Sequence, residues 1–70
     1  MVGCAGLIGP DVKPGLKLSE AGDHKGALTH YEDLIEGGTA NAKVYRLAYE
    51  SAVLSGKRIT AGKYYNEALK

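Results

Sequence analysis

The sequence predicts an all-α fold: two stacked antiparallel helix-turn-helix hairpins. Apolar residues recur at the helical period along the second half of the chain and much of the first. Glycines at Gly22, Gly37-Gly38 and Gly56 divide this pattern into four segments. No segment alternates as a strand does, and no connection is long enough for a parallel crossover.

The first ten residues differ from the rest. Gly3, Gly6 and Gly9 alternate with small or aliphatic residues, and no charge appears before Asp11. Glycine at this density favours neither helix nor strand, so residues 1–13 read as a flexible Gly-rich leader and residues 14–70 as one helical domain. Pro14 suits a first helical turn, where its missing N–H costs nothing. Leu16, Leu18 and Ala21 then make a short helix that Gly22 ends. Asp23 is an N-cap for the second helix, whose apolar side is Ala27, Leu28, Tyr31, Leu34 and Ile35. Lys25, Thr29, Glu32, Asp33 and Glu36 fill its other side.

After Gly37-Gly38, Thr39 is the expected cap of a third helix containing Val44, Tyr45, Leu47, Ala48, Tyr49, Ala52, Val53 and Leu54. That helix is apolar around most of its circumference and should be covered on more than one side. Gly56 ends it, and a fourth helix carries Ile59, Ala61, Tyr64, Tyr65, Ala68 and Leu69.

Size and charge narrow the function classes. Seventy residues and 7.4 kDa allow one small domain, which buries only roughly 60% of the surface its unfolded chain exposes. Such a body has little room for a substrate cleft. Residues 1–36 hold three lysines against six carboxylates, and residues 37–70 hold six bases against two. The net charges are therefore −3 and +4, a dipole that bears on association rather than on fold. The single cysteine, Cys4, excludes an internal disulfide.

A shift of 34 residues places Gly22 on Gly56, Ala27 on Ala61 and Tyr31 on Tyr65. A 34-residue period with two helices per unit is that of tetratricopeptide repeats. Ala21-Gly22-Asp23-His24-Lys25-Gly26-Ala27-Leu28-Thr29-His30-Tyr31 and the segment from Ser55 to Tyr65 resemble that family's Gly-Asp-Tyr-x-x-Ala-x-x-x-Tyr core. The resemblance covers residues 14–70. It implies Ala27 and Ala61 at close helix contacts and a groove lined by the first helix of each hairpin. In the second unit the small residue expected four places after Tyr45 is Tyr49. Either Ala48 makes that close contact instead, or the contact is looser.

The implied function is a non-enzymatic protein–protein interaction module. Its partner is a protein or peptide, or further copies of the chain. Tyr45, Arg46, Tyr49 and Glu50 crowd one side of the third helix and are the candidate partner-binding residues, tyrosine and arginine being enriched in binding hot spots. Tyr64, Tyr65 and Leu69 are the candidate self-association residues, because no capping helix follows them and one tyrosine of the pair should remain at the open end. The alternative is a small helical nucleic-acid-binding domain that uses Lys57, Arg58 and Lys63 at the start of the fourth helix. A net charge of +1 disfavours it.

No catalytic residue, metal or cofactor is expected. His24 and His30 stand six apart rather than at the three or four that puts two rings on one helix face. Met1-Val2-Gly3-Cys4-Ala5 resembles the end of a bacterial lipobox, with Cys4 as the candidate lipidation site. A free thiol is the simpler reading. The default location is cytoplasmic, with a periplasmic or membrane-anchored lipoprotein as the alternative, and a membrane is a partner only if Cys4 carries lipid.

Overall fold

A computed structural model describes residues 11–70; Cys4 and the rest of the lipobox-like segment lie outside the described residues. Four helices follow one another: α1 (Lys13–Glu20), α2 (His24–Glu36), α3 (Ala42–Leu54) and α4 (Arg58–Leu69). Each packs mainly on its neighbours in sequence, so the helices form a row with α1 and α4 at its ends. The body is a slab of 40 × 29 × 15 Å. None of the described helices is long and apolar enough to cross a membrane.

The three turns share one mechanism. Gly22, Gly38 and Gly56 have φ of 87°, 81° and 80°, a left-handed conformation that glycine adopts without a Cβ clash. At each, two backbone N–H groups fold back onto the last carbonyls of the preceding helix. Gly22 N donates to Ser19 O at 3.0 Å and Asp23 N to Leu18 O at 2.8 Å, a pattern repeated at Gly38-Thr39 and Gly56-Lys57.

Helix starts differ more. Asp23 caps α2 as expected, its Oδ1 accepting from Gly26 N at 2.9 Å. A Cβ at Gly26 would meet the capping Asp23 carboxylate, which would have to shift to admit it. Thr39 does not cap α3. It belongs to the preceding turn, where its hydroxyl donates to Leu34 O at 3.1 Å. The cap is Asn41, in extended conformation, whose Oδ1 accepts from Val44 N at 3.0 Å.

The first helix begins at Lys13, ahead of the expected boundary at residue 14. Asp11 accounts for this. Its carboxylate accepts from Lys13 N at 3.1 Å, and its carbonyl accepts from His30 Nε2 at 2.8 Å. Val12 packs against the core, so the helical domain takes in residues assigned above to the leader.

The core comprises Ala27, Leu28 and Tyr31 of α2, Val44, Ala48 and Ala52 of α3, and Ala61 and Tyr64 of α4. Ala27 and Ala61 are buried, where the repeat alignment puts close helix contacts. Val44, Ala48 and Ala52 lie four apart on one face of α3 and have no exposed surface. Short side chains along that stripe let α3 sit between α2 and α4. Ala48 is fully buried in this stripe, and Tyr49, the next residue, is half-buried.

Candidate interaction surface

The tyrosines of α3 and α4 form two pairs. Tyr45 and Tyr64 lie on the inner side, with ring centroids 6.2 Å apart. Tyr64 is 5% exposed, and its hydroxyl donates to Glu32 Oε2 at 3.0 Å, tying α4 to α2. Burial, followed by the hydrogen bond to Glu32 and the charges of Glu32 and Glu36, pushes the Tyr64 phenol up to about 12. Tyr64 is a core residue, which removes it from the set expected to contact a second chain. Tyr45, half-buried against the same cluster, is tied into this inner network.

The second pair faces outward. Tyr49 and Tyr65 have ring centroids 5.3 Å apart, and Tyr65 is 48% exposed. Their rings form a ridge between depressions. On one side Arg46, Tyr49, Glu50, Tyr65, Ala68 and Leu69 line a cleft of about 300 Å³. On the other, Tyr49, Val53, Gly56, Arg58, Ala61, Gly62 and Tyr65 surround an open hollow of about 610 Å³. A third hollow runs along Tyr49, Glu50, Val53 and Leu54. Tyr49 is common to all three, so they make one continuous face.

This face unites residues that the sequence assigned to separate sites. Arg46, Tyr49 and Glu50 meet Tyr65 and Leu69 across one cleft, while Tyr45 and Tyr64 lie elsewhere. The cleft lies between α3 and α4 rather than between the first helices of the two hairpins. Ala68 lines this cleft and Val53 and Leu54 the adjoining hollow, and none of the three was among the candidate site residues read from the sequence. The signal for Val53 and Leu54 was the excess of apolar residues on α3 over what two neighbouring helices cover.

The remaining candidates have structural roles or separate positions. His24 Nδ1 and Ser19 Oγ share a hydrogen bond at 3.3 Å, and His30 holds the Asp11 carbonyl. Of the basic residues of α4, Lys63 places its ammonium 5.7 Å from the centre of the Tyr64 ring, whereas Arg58 borders the outer hollow. The chain matches no protein-family model, no curated protein and no solved structure.

Proposed function

We propose that this chain is a non-enzymatic protein-interaction module, a short tetratricopeptide-like scaffold that docks a protein partner on the α3–α4 face. One observation supports this reading most: the Tyr49–Tyr65 ridge stands among exposed Val53, Leu54 and Leu69. Val53, Leu54, Tyr65 and Leu69 are 50, 61, 48 and 69% exposed. Together they leave on the order of 400 Å² of apolar side chain in water, within the range of the largest and often functional patch on a monomer. Two adjacent rings on a helical frame supply large contact area with little rotamer entropy to lose.

A photo-crosslinking side chain at position 65, with a second at exposed Lys25 as control, tests the proposal in cells. Position 65 should give a discrete protein adduct that excess unmodified chain competes away and a Tyr65→Glu chain does not. An absence of adducts at 65, or equal yields at both positions, would refute it. The nucleic-acid alternative makes a different prediction: binding to a DNA or RNA duplex that falls steeply with salt and with Lys57→Gln and Arg58→Gln.

A further inference from the structure

We infer that the partner on the α3–α4 face is a second copy of this chain, related by a two-fold axis; this rests on the interaction-module reading above. The two ends of the helix row differ. Among the described residues the exposed large aliphatic of α1 is Leu16, at 38%, set among Lys13, Lys17 and Glu20. On the α3–α4 side Val53, Leu54, Tyr65 and Leu69 are grouped around the tyrosine ridge, while Ile59, 92% exposed, stands apart from it beside Lys57 and Arg58. Head-to-tail stacking would set an apolar end on a polar one. Contact between two α3–α4 faces covers apolar surface with apolar surface, and a closed pair of like faces requires a two-fold arrangement.

Charge on the rim fits the same symmetry. Arg46 and Glu50 are exposed, one helical turn apart, and both border the cleft floored by Tyr49, Tyr65 and Leu69. Among the described residues the ion pair formed is Lys70–Glu67, so neither Arg46 nor Glu50 is engaged in one. An axis passing between them sets each Arg46 opposite the partner's Glu50, twice per interface. The surface is therefore complementary to itself in charge as well as in hydrophobicity. Two patches of the size given above total about 800 Å², and the rim residues Arg46, Tyr49, Glu50 and Ala68 supply the further area by which the pair approaches the roughly 1,000 Å² of a specific interface.

Sedimentation equilibrium of the full chain over a wide concentration range tests the inference. The parent should approach the mass of two chains. Tyr65→Glu and Leu69→Glu should give one-chain masses with unchanged helical circular dichroism, since both residues are exposed. Arg46→Glu and Glu50→Arg should each weaken association about tenfold by placing like charges opposite one another. An equimolar mixture of those two variants should recover the dimer as a heterodimer, because the mixed pairing restores opposite charges at both contacts. A parent that stays at one-chain mass throughout overturns the inference, as does a mixture no tighter than its components. If the parent is monomeric while position 65 still crosslinks a different protein, the interaction module stands and the second copy falls. If both experiments are negative, both readings fall.

Discussion

The first and second hairpins are offset by 34 residues, and the same backbone plan carries different side chains at the positions that close it. In the first, buried Gly15 lies under Tyr31: a Cβ on Gly15 would come within 2.5–2.9 Å of the tyrosine's outer ring atoms. Tyr31 is accordingly 1% exposed. In the second, Tyr49 stands at the place of Gly15, and Tyr65, the counterpart of Tyr31, is 48% exposed. The aligned position thus carries glycine beside a sealed ring in the first hairpin and tyrosine beside a half-exposed ring in the second. A second difference acts in the same direction. Leu28 is buried, whereas its counterpart Gly62 has open space around it. Apolar area sealed inside the first hairpin reappears as an outward face on the second.

The strongest challenge to this contrast is truncation of the two equivalent rings. Tyr31→Ala should cost about 3–5 kcal/mol, the range for emptying a buried aromatic site. That is a large share of the stability of a domain this small. Tyr65→Ala should cost well under half as much. Urea unfolding followed by circular dichroism reads both, and equal losses would show that the two rings are not packed differently.

The paired glycines sharpen the comparison further. Gly15→Ala should destabilise by about 1–3 kcal/mol, because the added methyl meets the Tyr31 ring. Gly62→Ala, with nothing within 4 Å of the new Cβ, should stabilise by up to about 1 kcal/mol through helix propensity alone. Opposite signs in one melting experiment are the expected result.

The inner network gives an effect of intermediate size. Tyr64→Phe removes the hydrogen bond to Glu32 and should cost about 1 kcal/mol near neutral pH. Folding holds the Tyr64 phenol neutral up to about 12, against its ordinary value of 10.0. The unfolded chain therefore releases this proton first as pH rises. Stability contributed by Tyr64 is fully present below pH 10 and is lost as pH climbs from 10 towards 12. Alkaline titration of the melting temperature should fall more steeply over that window in the parent than in Tyr64→Phe.

The helix starts provide the smallest test. Asp23 and Lys57 have nearly the same backbone angles, −90°/74° and −96°/78°, yet Asp23 caps its helix and Lys57 makes no side-chain cap. Asp23→Ala should cost about 1 kcal/mol, and Lys57→Asp should add a similar amount by capping α4 and replacing a cation at the positive end of its dipole. Thermal melts check both. A Lys57→Asp chain no more stable than the parent would mean that the start of α4 is not limited by its cap.

Local chemistry determined most of the framework. Gly22 and Gly56 terminate their helices because the left-handed turn excludes a Cβ, and Asp23 caps because its carboxylate reaches an N–H three residues on; neither needs a tertiary neighbour. The apolar period likewise assigned Ala27, Leu28 and Tyr31 to the core. Three matters lay beyond the sequence. Thr39 and Asn41 are both good caps, and which one begins α3 depends on where the preceding turn ends. Tyr64 and Tyr65 are adjacent and chemically alike, so only the Glu32 carboxylate and the Tyr45 ring on the inner side decide which turns in. The union of Arg46, Tyr49 and Glu50 with Tyr65 and Leu69 was also hidden, because helical period places a residue on a face of its own helix and does not specify which other helix that face meets.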